Sequence, residues 1–482
     1  MLLNNLLKGV THEKIIGDTN VDIKEIKTSS NEITSKGLFI CLVGGSFDGH
    51  NYVADALKNG AIAIITEKEL NVAVPQIIVK DTRIAYSIIL ANFYDNPQNK
   101  LKIIGVTGTN GKTSTTHLIT AILMNYGKKC GLIGTLGIYY DNVYKETELT
   151  TPDPLDLFRV LNEMQKAGVE FVIMEVSAHA SFYKKLYGID FEVLAFTNLT
   201  QDHLDFFENL ENYEKAKLSI FSNNKCKFIV TNIDDKTGEK IKNSHKNTIT
   251  YGLKNPSDVF AIDIKQSLIG TNFIINLFDK VFSVDTNLIG VFNVYNALCA
   301  VTVCALIGVP LSKAVEGLKE LKGISGRLEN IYDKKFSVFI DYAHTPDGIK
   351  QTLKALKPYA KGRIICVFGC GGNRDRIKRK IMGKTAGENA DFLIITTDNP
   401  RYEEPMQIIY EIELGVKSTR AEYVLVEDRI EAIRYALTIA REKDVVLIAG
   451  KGTEKYQEVL GVKKPYSDKE TALDILEELN DL

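Results

Sequence analysis

A chain of 482 residues, 45% hydrophobic and 25% charged, has material for a packed core in each of about three domains. Its formal net charge of −2 excludes a global electrostatic footprint for nucleic acid or an anionic membrane surface. No apolar run approaches the ~20 residues of a membrane helix, and seven scattered cysteines without a C-x-x-C pair read as reduced thiols of a cytosolic protein.

The opening "MLLNNLLKGV" is apolar but broken by Asn4 and Asn5, with no basic start or cleavage site, so it does not read as a secretory leader. From there short apolar runs alternate with helical stretches: "GLFICLVG", "YVADALKNG", "AIAIITE" and "QIIVKD". This predicts a small α/β domain over residues 1–99, with "YDNPQNK" (94–100) as a linker. From residue 101 the rhythm strengthens. "LKIIGVTG", "VEFVIMEVS", "FEVLAFTNLT" and "KCKFIVTNIDD" are near-continuous apolar strands of the kind buried in a parallel sheet. Helices are expected from about Thr113 to Tyr126, and over "NVYNALCAVTVCALIG" up to Gly308. Between about residues 257 and 290, "DVFAIDIKQSLIGTNFIINLFDKVFSV" alternates in period two, which predicts an antiparallel appendage. After "GISGRLE" a third series, over 327–482, carries the strands "KFSVFIDYA", "RIICVFG", "ADFLIITTD", "AEYVLVED" and "DVVLIAGKG". Polar residues gather at their carboxyl ends, where open α/β sheets bind ligands: Asp341 and His344, Asn373 and Arg374, Asp398 to Arg401, Lys451 to Glu454.

The chemistry begins at "GVTGTNGKTS" (105–114). A strand-to-helix loop offers backbone N–H groups and a positive helix end to an anion. Gly108 and Gly111 permit close approach to phosphate oxygens, Lys112 can reach terminal phosphates, and Thr113 can offer its hydroxyl to Mg²⁺. The usual P-loop places a glycine five residues before Gly111, where this chain has Val106, so the motif is a shorter G-x-x-G-K-T variant. Glu175 ends its strand where P-loop proteins place an acidic Mg²⁺ ligand, and His203 follows the next strand.

Eleven motifs then fall in the order found in the Mur ligases, which this chain resembles over nearly its whole length: "GVTGTNGKTS", "TTPDP", "MEVSAHA", "QDHLDFF", "YEKAKL", "GVFNVYNALCA", "SGRLE", "DYAHTPDG", "GCGGNRDRIKR", "TTDNPRYEEP" and "AGKGTEKYQ". The resemblance implies an α/β protein of three domains: a small UDP-sugar-binding N-terminal domain, a central P-loop ATPase domain (100–326) with a mostly parallel sheet, and a Rossmann-like, amino-acid-binding C-terminal domain. It implies a cytoplasmic, monomeric, ATP- and Mg²⁺-dependent amide-forming ligase, with Gly108, Thr109, Asn110, Gly111, Lys112, Thr113 and Ser114 at the ATP phosphates. Asn293, Arg327, Asp341 and His344 would hold adenosine and phosphates, and Thr113, Glu175 and His203 the metal. Lys217 matches a lysine that CO₂ carbamylates in this family, giving a further metal ligand. Ser30, Thr150, Thr151, Ser177 and Lys185 would bind UDP-MurNAc-L-Ala-D-Glu. The D-N-P-R of Asp398, Asn399, Pro400 and Arg401, with Arg374, Gly450 and Glu454, accompanies meso-diaminopimelate. An Arg here can clamp the distal carboxylate of that amino acid and repels the lone ammonium of lysine.

Two departures stand out. The family's D-S-R is Ser29-Ser30-Asn31 here, and Tyr183 and Lys185 follow "MEVSAHA" where Gln and a basic residue are usual. Other readings remain open at this level: the same ligation with L-lysine, a paralogue with another nucleotide acceptor, a folate polyglutamate ligase, or a nucleotide switch that makes no amide.

Overall fold

A computed structural model of the protein describes residues 1–45 and 47–479. The chain divides into two compact units, one of Met1–Thr107, Lys128–Leu194 and Ala216–Phe228, the other of Gly108–Gly127, Ala195–Lys215 and Ile229–Leu482.

The first unit opens with a five-stranded sheet in the order Lys14–Ile16, Gln76–Ile78, Ala61–Thr66, Gly37–Ile40, Glu25–Lys27. All pairs are parallel except the first. The apolar runs become strands because both faces are covered; Phe39, Cys41 and Ile64 form a core with Val53 and Ala56 of the helix Val53–Lys58. Asp81 caps the helix Thr82–Phe93 by accepting from Arg83 N and Ile84 N. The expected linker 94–100 is instead a packed turn. Asp95 and Asn96 take left-handed φ values of 61° and 50°, which Asp and Asn tolerate, and Pro97–Lys100 forms a 3₁₀ turn with Pro97 and Gln98 buried.

In the same unit Lys102–Thr107 pairs in parallel with Phe171–Val176, which pairs in parallel with Cys130–Gly134. The register sets Glu175 opposite Val106, so the acid stands at the carboxyl end of the sheet, level with the last residues before the glycine loop. Gly137–Tyr140 and Val143–Lys145 extend this sheet as antiparallel strands that the sequence pattern did not mark.

The second unit carries the helix Lys112–Asn125, and the end of the strand Cys226–Asn232 pairs in parallel with Thr248–Gly252. The period-two segment is an antiparallel meander of Val259–Ser267, Gly270–Leu277 and Lys280–Thr286, and Val291–Leu306 is a helix. The last sheet runs Glu329–Asp333, Ser337–Asp341, Val445–Ala449, Ile364–Phe368, Phe392–Ile395, Glu422–Leu425, antiparallel only at its first pair. Alternate residues point to opposite faces. Phe339, Leu447, Cys366 and Leu393 pack against helices Pro346–Leu356, Ile377–Asn389 and Pro405–Val416. Ile340, Val446, Ile365 and Ile394 pack against Arg429–Ile439 and Asp468–Glu478. Each such fully buried side chain contributes about 2 kcal/mol.

Candidate active site

The glycine loop is built by backbone geometry first. Gly108 has φ +147° and Gly111 φ +85°, left-handed values that favour glycine. A Cβ on Gly108 would collide with Thr197 Oγ1, and one on Gly111 would lie 2.5 Å from Asn296 Oδ1. Asn110 N donates to Asn198 Oδ1 (3.0 Å), Asn110 O accepts from Thr197 Oγ1 (2.7 Å), and Thr109 N donates to Asn198 O (2.8 Å). Lys112 Nζ lies across its own loop, donating to the carbonyls of Gly108 and Thr109 at 2.9 Å. Thr113 and Ser114 are buried in the first helical turn. Asn296 Nδ2 donates to Asn293 Oδ1 (2.9 Å), and Thr115 Oγ1 to Asn296 Oδ1 (3.3 Å), so Asn293 reaches the loop only through Asn296.

Arg327, just before the last sheet, and Asp347, in the helix Pro346–Leu356, meet this loop. Arg327 Nη2 donates to Thr113 Oγ1 (2.9 Å), and its guanidinium carbon stands 4.4 Å from the Tyr342 ring centre. Arg327 Nε is buried without a hydrogen-bond partner among the described residues, a spare donor next to the glycine loop. Asn110 Nδ2 donates to Asp347 Oδ2 (3.3 Å). Asp341 uses its carboxylate internally: Oδ2 accepts from Leu328 N (2.6 Å), Oδ1 from Ala343 N (2.9 Å) and Thr352 Oγ1 (3.2 Å). Burial pushes its carboxyl upward against the pull of Arg327 and these bonds. It braces the Arg327 segment, whatever it does toward a nucleotide.

Asp202 is a residue the sequence reading passed over, although it lies in the same motif as His203. Its Oδ2 is 3.5 Å from His203 Nε2 and 3.7 Å from His344 Nε2, and its Oδ1 is 3.9 Å from Lys378 Nζ. Burial opposes its charge, but His344, His203 and Lys378 hold the carboxyl well below the usual range. Arg374 faces Asp205 at 3.9 Å.

In the first unit Glu175 is 1% exposed. Its Oε1 accepts from Thr135 N (2.9 Å) and its Oε2 from Thr135 Oγ1 (3.1 Å). Thr135 Oγ1 meets Thr150 Oγ1 at 3.1 Å, and Thr151 Oγ1 bridges Glu175 O (2.8 Å) and Ser177 N (3.0 Å). Ser177 caps the next helix through Ala180 N. Lys185 pairs with Asp153 at 2.6 Å, and Tyr183, one of the departures from the family pattern, carries Arg83 over its ring at 4.4 Å. The structure thus gathers Glu175, Thr150, Thr151 and Ser177. Ser30 is buried in a 3₁₀ turn, and no hydrogen bond joins it to this group. Lys217 is 1% exposed, so it is not a solvated surface lysine.

The D-N-P-R segment and the loop after Val445–Ala449 interlock. Asn399 Nδ2 donates to Glu454 Oε2 (2.9 Å) and Lys451 Nζ donates to Asn399 Oδ1 (2.9 Å) and Glu454 Oε2 (2.8 Å). Arg401 Nε pairs with Glu458 at 3.2 Å and Nη1 donates to Gly372 O (2.8 Å). Its positive φ of 52° is held by bridging to Val459, with Arg401 N donating to Glu458 O and Leu460 N to Arg401 O. A Cβ on Gly372 would strike Pro400 O, and one on Gly450 would lie 2.7 Å from Asp398 Oδ2. Burial opposes charge on Asp398, but Lys451 and Arg429 lower its pKa.

The residues fit a nucleotide and its metal. The loop offers glycines with no room for a Cβ and a spare buried Arg327 donor. Taken unit by unit, the second offers Mg²⁺ a hard oxygen in Thr113 Oγ1, and the first offers Glu175, whose carboxylate oxygens keep lone pairs beyond those given to Thr135. Among the described residues no three His, Cys, Asp or Glu side chains gather as a metal site.

Fold and loop define a multidomain α/β protein built round a phosphate-binding loop. Family models match in sequence: "Mur ligase family, catalytic domain" at residues 22–105, "Mur ligase middle domain" at 106–304, and "Mur ligase, glutamate ligase domain" at 326–452. The chain belongs to the Mur ligase family, and its fold is that family's three-domain α/β architecture. Among curated relatives, the UDP-N-acetylmuramoyl-L-alanyl-D-glutamate–2,6-diaminopimelate ligase of Caldanaerobacter subterraneus subsp. tengcongensis is 46% identical over 99% of each chain. Ligase 1 of that name from Clostridium acetobutylicum is 42% identical over 99% of this chain and 100% of its own. A solved structure of a ligase of the same name superposes with TM-score 0.68 at 33% identity, covering 95% of both chains.

Proposed function

We propose that this protein is an ATP-dependent ligase that joins meso-diaminopimelate to UDP-MurNAc-L-Ala-D-Glu through an acyl phosphate, a cytoplasmic step of peptidoglycan precursor synthesis. The observation that carries the amino-acid assignment is a pair of unused groups around D-N-P-R. Arg401 Nη2 and Glu454 Oε1 take no hydrogen bond among the described residues, while their neighbouring atoms are engaged. A cation and an anion left over together suit the distal carboxylate and ammonium of diaminopimelate; lysine offers only the ammonium.

Amide formation from a carboxylate is uphill because its oxygen is a poor leaving group. In the first step an oxygen of the acceptor's D-Glu carboxylate attacks the γ-phosphorus of ATP, and the bond to ADP breaks. The amine of the incoming amino acid then attacks the acyl carbon, loses a proton, and inorganic phosphate departs with the C–O electron pair. Lys112, Arg327 and the loop N–H groups neutralise charge on the phosphoryl oxygens, so positioning and electrostatics do the work. Thr113, Glu175 and His203 are the residues that would ligate Mg²⁺, which would supply further charge neutralisation. Lys217, as a carbamate, would offer an anionic oxygen ligand in place of an ammonium. Thr150, Thr151, Ser177 and Lys185 orient the acceptor, and Asn293, Asp341 and His344 shape the nucleotide side.

The test is product mass after incubation with UDP-MurNAc-L-Ala-D-Glu, ATP and each candidate amino acid. A diaminopimelate adduct with one phosphate released per amide, abolished by Lys112→Ala, is expected. A lysine adduct in preference, or ATP hydrolysis indifferent to amino acid, refutes the reading.

A further inference from the structure

Lys451 sits where a cation needs a reason. It follows Gly450 at the end of Val445–Ala449, and its side chain is 0% exposed. A buried ammonium is costly unless paired, and a well-packed apolar side chain of similar volume is often no less stable. Its hydrogen-bond partners among the described residues belong to the amino-acid loops. Its Nζ donates to Asn399 Oδ1 and Glu454 Oε2, the Tyr456 ring lies 5.8 Å away, and its charge holds down the Asp398 carboxyl.

These contacts settle two orientations. Asn399 Oδ1 accepts from both Lys451 Nζ and Glu458 N (2.9 Å each), so the amide cannot flip without setting its NH₂ against two donors. Asn399 Nδ2 therefore faces the other way, giving one hydrogen to Glu454 Oε2 and keeping one in hand. Glu454 Oε2 is saturated by Lys451 and Asn399, which leaves Oε1 as its working acceptor.

We infer that Lys451 is a positioning residue for amino-acid selection, fixing Asn399 and Glu454 so that one N–H donor and one carboxylate oxygen remain for the distal end of the diamino acid. This rests on the functional reading above. Because Lys451 already half-neutralises Glu454, it also weakens capture of a substrate that brings an ammonium alone. Its loss tilts the enzyme toward lysine.

The test is steady-state kinetics on the full-length enzyme carrying Lys451→Met, Lys451→Arg, Glu454→Gln, and Lys451→Met combined with Glu454→Gln. Losing a charge-assisted bond to an orienting group should raise KM for diaminopimelate about 10- to 100-fold in Lys451→Met, with KM for ATP and acceptor within about twofold. The lysine-to-diaminopimelate ratio of kcat/KM should rise, Lys451→Arg should recover part of the loss, and the double variant should be little worse than Glu454→Gln alone. An unchanged diaminopimelate KM, a rise in all three KM values together, or additive effects in the double variant overturns the inference. If Lys451→Met does not fold, the comparison of Lys451→Arg with wild type decides: a shifted diaminopimelate KM at constant ATP KM supports it, and identical constants overturn it. A wild-type enzyme that ligates no diaminopimelate fells the functional reading and this inference with it; a working wild type with an unaltered Lys451→Met fells this inference alone.

Discussion

Arg429 tests how the last sheet holds its ligand-bearing ends in line. It opens the helix Arg429–Ile439 and is wholly enclosed, as is its partner Asp468; their side chains are 1% and 0% exposed. Nε and Nη2 donate to the two Asp468 oxygens at 2.7 Å, Nη2 also to Ala449 O (2.9 Å), and Nη1 to Thr397 O (3.3 Å). Ala449 and Thr397 are the residues immediately before Gly450 and Asp398. One guanidinium thus pins both loops of the amino-acid site to the helix that begins at Asp468. Arg429→Met leaves Asp468 buried with only the Tyr466 hydroxyl at 2.8 Å, a change that costs about 3–5 kcal/mol. At ~1.4 kcal/mol per factor of ten, the opened form of this sheet rises about a hundredfold to a few thousandfold. The assay is amide hydrogen exchange by mass spectrometry, since the chain has no tryptophan to report by fluorescence. Protection in Val445–Ala449 should fall by that factor while Ala61–Thr66 in the first unit stays unchanged. Removing both charges, Arg429→Met with Asp468→Leu, should recover much of the loss because no unpaired charge stays buried. A single variant costing less than about 1 kcal/mol, or a double variant whose losses simply add, refutes the reasoning.

Gly108→Ala places a Cβ against Thr197 Oγ1 at a backbone φ of +147°, and should weaken ATP binding at least about tenfold by calorimetry. Gly127→Ala, with φ +78° but open space, should leave it unchanged; equal affinities for wild type and Gly108→Ala contradict a backbone cradle. Glu403 pairs with the buried Arg379 at 2.8 Å, and that hydrogen bond, against the opposing effect of burial, is the main cause lowering its pKa from 4.5 to about 2. Its contribution to stability is whole above pH 4.5 and lost as pH falls through about 2, because the unfolded state binds the proton first. Glu403→Gln should flatten the denaturation midpoint across that window, and an unchanged acid slope counts against the pairing.

What the sequence made legible is what leaves a local, repeating mark. "DVVLIAGKG" reads as a strand because both faces of Val445–Ala449 are covered, so every residue is apolar; the 258–284 segment reads as hairpins because one face is buried and the period is two. Glu329–Asp333 escaped notice because it is an edge strand with a single buried residue, Tyr332. Tyr456–Val459 and Val462–Pro465 bury none of their residues, so no pattern marks them. The glycine loop was legible because Gly108, Gly111, Lys112 and Thr113 are contiguous. Asn296, Asp202 and Thr135 act through partners that tertiary folding delivers, as Asn296 does on Gly111, and no spacing rule announces them. Asp341 shows the reverse: a polar residue at a strand end reads as a ligand contact, while its oxygens serve Leu328, Ala343 and Thr352.

The loop Gly108–Thr113 and the loop after Val445–Ala449 are joined through Arg327 and Tyr342. Arg327 donates to Thr113 in the first and lies against Tyr342, and a Cβ on Gly452, in the second, would meet the Tyr342 Cβ at 2.9 Å. Gly326, one residue before Arg327, packs so closely on Gly452 and Thr453 that its own Cβ would stand 2.7 Å from their backbone. Close-packed groups of this kind move together, because an interior at crystal density has no slack to absorb a shift of one member. Arg327 Nε meanwhile remains a buried donor without an acceptor, which costs about 1–3 kcal/mol. A phosphate oxygen accepting that hydrogen bond would remove the penalty. The contact through Arg327, Tyr342 and Gly452 predicts that an ATP analogue tightens amino-acid capture, as a two-step ligation needs; equal diaminopimelate affinity by calorimetry with and without the analogue refutes it.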